Sequence, residues 1–548
     1  MSVITGLINS VNGVLWGPPM LALMLISGAY FTVRTNFFQF RGKWLRRTIL
    51  SKSGKRSDTG VTPFQAMSSA LAATLGTGNI AGVAAALSTG GAGAVFWMWV
   101  SSVLGMMTGY AENLLGNLYR RRSPDGCWQG GAMYYIRDGL AERPLTRPLG
   151  RPLAAAFAGA CVLSAFGMGN LVQMNCAAQA LEAGFGVSGL VTGIVLAGVT
   201  GAIILFGKGN GAQRTAAVTS KIVPVMSALY IAAAVYILAA NITRMPAVLG
   251  MIFHGAFGAD AAAGGVSGFI IKQAVSMGFR RGVFSNEAGL GSSVAAHAAS
   301  DLTDPVVQGM WSIFEVFFDT IVMCSMTAFV LLASPCREVP PQEAFQSVTT
   351  QPRYFRLTDS DRLITSGVPL LTVGSGEEIQ LRAVGGQEFT LRIGGGELTF
   401  SNVMKLTGVQ SRDSSGCLIW ENGAPVIREV RLEEVTGAEL MTLAFSSVFG
   451  GAAGSLLSAA VALFAFTTVI GWGSFGEQAA VYLAGNRAAL PFRVLYTIAV
   501  VFGGVIDMSA AWGAADLFNG LMAAINLPVV LALSGTVIRV TKDHPKSP

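Results

Sequence analysis

Ionisable side chains are scarce in this chain. Only 12% of its 548 residues are Asp, Glu, Lys or Arg and histidine occurs three times, whereas 52% are hydrophobic. The mean hydropathy is +0.55. A chain this apolar carries more hydrophobic surface than a soluble core can bury. A soluble protein is therefore excluded, and an all-α integral membrane protein is expected.

Cysteine and histidine are too sparse for metal or redox chemistry. The six cysteines contain no C-x-x-C pair, and the histidines lie far apart at His254, His297 and His544. Neither a zinc site nor a bound cofactor is predicted. Cys336 and Cys417 share one polar segment, where an oxidising compartment would permit a disulfide, and two unpaired thiols are the equal alternative.

The basic residues follow the membrane and not a nucleic acid, although the net charge is +7. They concentrate in short loops between apolar stretches, above all in residues 34–56 and 120–151. Lys and Arg in short loops mark the cytoplasmic side of a membrane protein. The predicted partner is therefore the lipid bilayer of the cell inner (plasma) membrane, with no nucleic acid.

Eleven stretches approach the ~20 residues that a helix needs to cross the hydrocarbon core. They cover about 13–33, 62–88, 91–118, 152–182, 187–206, 217–240, 266–290, 306–333, 441–471, 491–510 and 515–539. Alternation from the basic loops places the N-terminus outside and the C-terminus in the cytoplasm. The first stretch has no basic start and no small-residue cleavage site, so it is interpreted as a retained span.

One region interrupts this pattern. Residues 334–440 contain strand-like text such as EIQLRAV and EFTLRIGG, and between 335 and 440 fourteen acidic residues outnumber ten basic ones. Alternating apolar and polar residues predict a soluble β-rich insert, and the span count places it outside the cytoplasm. The chain is accordingly divided into 1–61 (accessory span and basic loop), 62–333 (first part of the core), 334–440 (insert) and 441–548 (rest of the core and tail).

Two apolar stretches are each interrupted near the centre by a short glycine-containing segment. Residues 62–88 contain LGTGN and residues 266–290 contain SMGFRRG. A pair of interrupted spans in corresponding positions of two halves is typical of a transporter's binding site. With the first span set aside, the other ten divide into five plus five, as inverted repeats require. Either glycine-containing segment alone would be better explained as a notch at which two helices pack closely.

An unwound LGTGN would expose backbone groups of both signs. Free N–H groups suit a carboxylate, and free carbonyls suit an ammonium group or a sodium ion, so a zwitterionic amino acid fits both. Thr77 and Asn79 add polar side chains there. In the span 152–182, Asn170 and Gln173 lie on one helix face; Gln173 is predicted to contact substrate and Asn170 to have a structural role.

A further pair of hydroxyl groups occurs in the ninth span. Thr467 and Thr468 lie in otherwise apolar text, where they would complete an oxygen cage for a small cation with carbonyls freed by the first break. The alternative is that each threonine bonds to its own helix. Trp472, one turn later, would close the pocket or act as an interfacial anchor.

The string SNEAGLGSS contains a possible nucleophile, Ser285, and a possible base, Glu287. A gating or helix-capping role is favoured over catalysis, because no histidine precedes His297 in this segment. Other acidic residues inside spans are functional candidates by default, and none is singled out. They are Glu112, Glu315, Asp319, Glu477, Asp507 and Asp516.

Five strings together resemble the alanine or glycine:cation symporter family, a branch of the amino acid–polyamine–organocation transporters. They are TLGTGNIAGVAAAL, GAVFWMW, GGAMYYI, GFRRGVFSNEAGLGS and FTTVIGWGSFGE. The resemblance implies a LeuT-type 5+5 inverted repeat with one extra N-terminal helix, no enzymatic activity, and sodium-coupled import of a small neutral amino acid of the alanine or glycine type. Ala92 and Ala132 replace two loop prolines of the family, and the family lacks the insert.

The resemblance also assigns roles to residues. Substrate would contact the first break, a second break within the span 266–290, and two further side chains. These residues are Thr77, Gly78, Asn79, Gln173, Gln273, Met277, Gly278 and Trp472. Sodium, the coupling ion, would bind Thr467 and Thr468 together with carbonyls at Ala72 and Leu75.

Two alternatives remain open at the level of sequence. A proton-coupled amino acid carrier is the alternative interpretation to a sodium-coupled one, although neither glycine-containing segment has an ionisable residue at its centre. A membrane-anchored sensor or enzyme working through the insert is the other alternative, but it leaves the paired interruptions unexplained.

Overall fold

The described part of the chain covers the helical region and the strands of the insert. The computed structural model describes residues 2–41, 61–123, 126–207, 209–257, 266–334, 362–364, 378–382, 388–392, 403–410, 420–421, 424–425, 427–435, 441, 444–445, 448–449, 451–506 and 508–544. Cys336, Cys417 and Asp507, named above, lie outside these residues.

Helices dominate the described residues. In chain order they are α1 Ser2–Leu15, α2 Pro18–Arg34, α3 Pro63–Thr74, α4 Ala81–Gly90, α5 Gly93–Leu118, α6 Ala132–Ala141, α7 Arg147–Phe166, α8 Gln173–Phe185, α9 Gly189–Phe206, α10 Gly211–Ala240, α11 Met245–Phe257, α12 Val266–Asn286, α13 Val294–Ala298, α14 Pro305–Val316, α15 Ser325–Ala333, α16 Gly451–Ala484, α17 Ala489–Gly503, α18 Met508–Ala532 and α19 Ser534–Asp543.

Most of the predicted spans correspond to apolar helices. Among the described residues, eight helices are long and apolar enough to cross a membrane, and the bent pair α3–α4 makes nine if it is one span. The two predicted stretches left over contain α12, which carries Arg280 and Arg281, and α17, which has 15 residues. A helical multi-pass membrane protein is confirmed, and the count of eleven spans stays a prediction.

Two predicted boundaries near the C-terminus were misplaced. The ninth span was expected over 441–471, yet α16 runs from Gly451 to Ala484. The last was expected to reach residue 539, yet α18 ends at Ala532 and α19 starts at Ser534. An apolar run shows that a segment can enter the bilayer, but the turn that ends a helix depends on local backbone contacts.

The first predicted break is confirmed. Helix α3 starts with a capping box, in which Thr62 Oγ1 accepts from Gln65 N at 3.2 Å and Gln65 Oε1 accepts from Thr62 N at 3.1 Å. After Thr74 the backbone becomes extended at Gly76, and a 3₁₀ turn over Thr77–Asn79 leads into α4. The axes of the two helical segments meet at 59°.

The second predicted break is wrong, because α12 continues as an α-helix through SMGFRRG. Its glycine makes a packing notch: a methyl group added at Gly278 would lie 2.5 Å from the Ala94 carbonyl oxygen and 2.6 Å from Trp97 Cβ of α5. The helix ends only at Asn286. A turn follows in which Glu287 has a φ of 55°, a left-handed conformation that is costly for a residue other than glycine.

Two other helices contain π-helical turns. Gly167–Val172 joins α7 to α8, and Phe317–Cys324 joins α14 to α15. A π turn leaves a helix carbonyl or side chain displaced from the regular ladder and is frequent at functional sites. In the first, Asn170 Nδ2 donates to the Tyr496 carbonyl oxygen of α17 at 2.8 Å, a contact between helices.

The β-structure lies in a short hairpin and in the insert. Strands β1 Arg121–Arg122 and β2 Trp128–Gln129 form the hairpin. The others are β3 Arg362–Ile364, β4 Glu378–Arg382, β5 Glu388–Arg392, β6 Val403–Gln410, β7 Trp420–Glu421, β8 Ala424–Pro425 and β9 Ile427–Val435. They form an antiparallel sheet in the order β3-β6-β9 and the hairpins β4-β5 and β7-β8. Strands therefore occur where the alternating sequence predicted them.

The notch between α12 and α5 predicts a difference between two glycines. Gly278→Ala should destabilise the protein by about 1–3 kcal/mol, because the new methyl group overlaps the backbone of α5. Gly159→Ala on α7 is the control, since a methyl group there meets nothing within 4 Å. Thermal unfolding of the two purified variants in detergent measures this. Equal unfolding temperatures would contradict the packing role of Gly278.

Candidate substrate and sodium site

The break between α3 and α4 lies in the protein interior. Thr77 is 0% exposed and Asn79 is 1% exposed, and the side chains that reach them come from α8, α12 and the second π turn. Unwound backbone at membrane depth is tolerated only where protein or a polar cavity surrounds it. The environment of this break meets that condition.

Oxygen atoms gather where α3 ends and α16 passes. Thr468 Oγ1 donates to the Ala72 carbonyl oxygen at 2.9 Å and lies 3.5 Å from that of Leu75. It also lies 3.1 Å from the Phe464 carbonyl oxygen, which accepts from Thr467 Oγ1 at 2.9 Å. The structure thus brings together three of the four residues predicted for sodium, Ala72, Leu75 and Thr468, whereas Thr467 Oγ1 contacts Phe464 of its own helix. The Phe464 carbonyl is a fifth oxygen that the sequence could not single out.

The break itself frees two of these carbonyls. In a continuous helix the Ala72 carbonyl would accept from Gly76 N, but that amide donates to the Thr74 carbonyl at 2.8 Å. Likewise Asn79 N turns to the Gly76 carbonyl at 3.3 Å instead of that of Leu75. Carbonyl and hydroxyl oxygens of this kind coordinate sodium in broken-helix transporters.

The two threonines also satisfy the alternative considered from the sequence. Thr467 Oγ1 donates to the Phe464 carbonyl of its own helix, and Thr468 Oγ1 lies 3.1 Å from the same oxygen. Thr467 additionally lies 3.7 Å from the sulfur of Met226 on α10. Only Thr468 reaches across to α3, so it is the hydroxyl that joins the two helices.

Gln173, at the start of α8, binds the first residue of the 3₁₀ turn. Its Oε1 accepts from Thr77 N at 3.0 Å and from Thr77 Oγ1 at 2.9 Å, while its Nε2 donates to the Met168 carbonyl at 3.1 Å. A methyl group added at Gly76 would lie 2.6 Å from Thr468 Oγ1 and 2.8 Å from Gln173 Oε1. Only the backbone of Gly76 therefore fits between Thr468 Oγ1 and the Gln173 side chain.

The residues of α12 that contact the break lie nearer its C-terminal end than predicted. A methyl group added at Gly78 would lie 3.2 Å from Phe284 and 3.7 Å from Ser285 Cα. By contrast, Met277 packs against Gly90 at the end of α4, where a methyl group would lie 2.9 Å from its Cβ. Gln273 is half-buried, four residues before it. The structure does not join Gln273, Met277 or Gly278 to the LGTGN turn.

Trp472 is an interior residue, so the interfacial-anchor alternative is wrong. Its side chain is 0% exposed, and a methyl group added at Gly169 would lie 2.2 Å from its Cβ. Its Nε1 donates to Glu287 Oε1 at 2.8 Å, and Ser292 Oγ donates to Glu287 Oε2. These two bonds hold Glu287 in its left-handed conformation at the end of α12.

The SNEAGLG turn has the contacts of a structural element and not those of a catalytic triad. Ser285 Oγ donates to Asp319 Oδ2 at 2.6 Å, whereas His297 contacts Glu315 at 2.8 Å and Gln308 at 2.6 Å. Ser285 and His297 therefore have different partners among the described residues. Glu287 is bonded to Trp472, as described above, which fits the favoured gating or capping role.

The structure adds Asp319, which contacts the break, and Arg281, which lies over Phe284, the ring that packs against Gly78. Asp319 Oδ1 accepts from Asn79 Nδ2 at 2.7 Å. The Arg281 guanidinium lies 4.2 Å from the ring centroid of Trp512, and its Nε and Nη1 have no hydrogen-bond partner among the described residues. Asp319 was among the acidic candidates from the sequence, but only the fold shows that it contacts the break.

These features define a multi-pass helical membrane protein in which a broken helix carries converging oxygens. A comparison of sequences adds the family. The profile of the Sodium:alanine symporter family matches residues 1–355 and 418–547, and the chain belongs to that family. The profile passes over residues 356–417, which contain part of the strand-rich insert.

Several relatives match over almost their whole length. The chain is 34% identical over 538 residues to the sodium/alanine symporter AgcS of Methanococcus maripaludis, covering 98% of this chain and 96% of that protein. It is 30% identical to the probable sodium/glutamine symporter GlnT of Bacillus subtilis, covering 99% and 91%. It is also 30% identical to the putative sodium/proton-dependent alanine carrier protein YrbD of Bacillus subtilis, covering 98% and 92%.

The bond between Trp472 and Glu287 predicts a stability difference between two tryptophans. Trp472→Phe should cost about 1–3 kcal/mol, because it leaves a buried carboxyl oxygen of Glu287 without this donor. Trp99→Phe is the matched control. Trp99 Nε1 donates to the neutral Ser325 Oγ at 2.8 Å, so about 0.5–1.5 kcal/mol is expected. Thermal unfolding in detergent measures both, and a smaller loss at Trp472 than at Trp99 would refute the bond's importance.

Proposed function

We propose that this protein is a sodium-coupled symporter that imports a small neutral amino acid by alternating access. The observation that carries the proposal is the convergence of the Ala72 and Leu75 carbonyls on Thr468 at the break. Sodium would be held there by these oxygens together with Phe464 O and Thr467 Oγ1. The names of the relatives support sodium as the coupling ion for this chain.

The substrate would lie against the Thr77–Asn79 turn. Backbone amides and the Gln173 amide group favour polar groups of an amino acid, and the nearby Arg281 guanidinium favours its carboxylate. Phe284 is a large buried side chain that lies against Gly78 of the turn, which favours a small substrate side chain, and Trp472 is fully buried against Gly169. Alanine or glycine fits these limits. Contacts of substrate with Gln273, Met277 and Gly278 remain a prediction that the position of α12 does not support.

The complete architecture belongs to the same proposal. Helix α12 has 21 residues and would span about 31 Å at ~1.5 Å per residue, enough for the ~30 Å hydrocarbon core. With the shorter α17 it would bring the count to eleven and divide the core into five plus five after α2. The N-terminus and the insert (334–440) would then lie outside and the C-terminus in the cytoplasm.

Coupling would pass through Gly76. An ion held by Leu75 and Thr468 fixes the backbone next to Gly76, and Gly76 precedes the Thr77 amide that Gln173 holds. Ordering one side therefore lowers the cost of ordering the other. Because binding coupling is reciprocal, substrate would raise the affinity for sodium by the same factor.

A sensor or enzyme that works through the insert is less well supported. The family profile matches on both sides of residues 356–417, and the cage and the break lie entirely within the matched residues. The family consists of symporters, so transport is the favoured activity. The proton-coupled alternative, in contrast, is favoured by an ionisable residue at the break, because the Asp319 carboxyl group accepts from Asn79 Nδ2 at 2.7 Å.

The proposal predicts sodium-dependent uptake. Purified protein in liposomes should accumulate labelled alanine when an inward sodium gradient is imposed, because sodium entering downhill stabilises the loaded site. Potassium of equal concentration is the control for ionic strength and should support at most about a tenth of the uptake. Equal uptake with either ion would refute sodium coupling, and no uptake of alanine, glycine or serine would refute the substrate class.

The oxygen cage predicts which threonine matters most. Thr468→Val should raise the sodium concentration for half-maximal uptake about tenfold, or ~1.4 kcal/mol, since it removes the hydroxyl that contacts both freed carbonyls. Thr467→Val should have a smaller effect. Thr200→Val on α9 is the control, because the Thr200 hydroxyl is buried and has no partner among the described residues. An unchanged sodium requirement in Thr468→Val would remove this residue from the site.

A further inference from the structure

Asp319 is a fully buried carboxylate that the proposed sodium site does not use. It lies in the π turn between α14 and α15 and is 0% exposed. Three groups donate to it: Asn79 Nδ2 to Oδ1 at 2.7 Å, and Ser285 Oγ and Thr320 Oγ1 to Oδ2 at 2.6 and 2.9 Å. All three donors are neutral, so the buried negative charge would need a cation or a proton to balance it.

The charged and titratable neighbours do not supply that cation. Glu315 lies one turn earlier and contacts His297, and Glu287 accepts from Trp472. Glu112 of α5 contacts Asn526 and Gly289. Among the described residues no basic side chain forms an ion pair with Asp319; Arg280 pairs with Asp516 at 2.7 Å, and Arg281 lies over Trp512. The acidic neighbours therefore make a negative charge on Asp319 less favourable.

The orientation of Asn79 favours a proton over a metal ion. Its Oδ1 accepts from Gly76 N at 3.1 Å, which assigns the amide oxygen to that side and turns the NH₂ group toward Asp319. The hydrogens of that group then lie against Asp319 Oδ1. A sodium ion on this oxygen would meet the positive end of the amide dipole, whereas a proton on Oδ2 would not.

The hydroxyl groups around Oδ2 allow two proton arrangements. With Asp319 ionised, Ser285 donates to it. With Asp319 protonated, its O–H donates to Ser285 Oγ over the same 2.6 Å, and Ser285 can donate in turn to Cys324 Sγ at 3.1 Å. Asn79 Nδ2 donates to both Asp319 and Ser285 in either case. The site can therefore gain or lose one proton without leaving a buried donor unpaired.

We infer that Asp319 is a proton-coupling site, which takes a proton on Oδ2 from water on one side of the membrane and releases it on the other as the carrier changes state. The inference rests on the proposed transport function and adds a second coupling cation to it. Only an O–H bond forms and breaks. Because Asn79 belongs to the broken turn, the charge on Asp319 changes the strength with which α14–α15 holds that turn.

The test is a count of protons per alanine. Protein in liposomes with the pH dye pyranine in the lumen and equal sodium on both sides takes up labelled alanine under an inward proton gradient. The wild-type protein should acidify the lumen as alanine enters. Asp319→Asn should lower the number of protons per alanine at least tenfold. Glu315→Gln, which changes another buried carboxylate four residues away on the same helical segment, should leave that ratio unchanged.

Three outcomes would overturn the inference. An unchanged ratio in Asp319→Asn would place the proton elsewhere, and so would an equal loss in Glu315→Gln. A changed sodium-to-alanine ratio with unchanged protons would make the site a sodium site. Absence of alanine uptake by the wild-type protein under a sodium gradient would instead refute the proposed function, which separates the two failures.

A second measurement needs no variant. Dicyclohexylcarbodiimide is an apolar reagent that modifies protonated carboxyl groups, so it should label Asp319 in the wild-type protein at acidic pH and at least fivefold less at alkaline pH. Mass spectrometry of peptides locates the label. Labelling confined to Glu112, Glu287 or Glu315 would contradict the inference, even if Asp319→Asn does not fold.

Discussion

The structure depends on satisfying the backbone polar groups that are released between Thr74 and Ala81. In water such groups would bind solvent, but in the bilayer interior each must find a partner within the protein. Three side chains supply such partners: Thr468 of α16 reaches the carbonyls that end α3, Gln173 of α8 holds the amide of Thr77, and Asn79 of the turn itself folds back on Gly76. The interruption therefore organises the surrounding helices, since each must present a polar group at one depth.

Close approach of helices makes these contacts possible. Gly76 leaves no room for a Cβ between Thr468 and Gln173, and Gly169 lies directly against Trp472. In a membrane, where apolar side chains gain little by leaving lipid, such small residues allow the backbone contacts that hold helices together. The high glycine content thus serves two purposes here: it permits the extended conformation at the break, and it lets the bulky side chains around the break reach it.

The sequence predicted those parts of the site that depend on local chemistry. LGTGN was recognisable as a break because glycine weakens a helix on both sides of a polar turn, whereas the carbonyls of Ala72 and Leu75 were assigned to sodium from the resemblance to the symporter family. The supposed break in α12 was wrong because glycine marks packing notches as readily as interruptions, and the close approach of α5 at Ala94 and Trp97 depends on the fold and not on the local sequence. Phe464 contributes a backbone carbonyl, which no residue type reveals. Asp319 was one of six acidic candidates, and its contact with Asn79 depends on the packing of two distant segments.

The break separates two chemically different cation environments. On the α16 side, the described oxygens near the Ala72 and Leu75 carbonyls are neutral, so a sodium ion there would keep its charge and attract the carboxylate end of a zwitterion. On the α14–α15 side, a carboxylate is surrounded by donors, and its charge is removed when a proton binds. Both environments touch the same few residues, Leu75 to Asn79, so either cation changes the conformational freedom of a single turn. A turn so short cannot be ordered at one end without restricting the other, and that restriction is the physical basis on which two ions and one substrate can be linked.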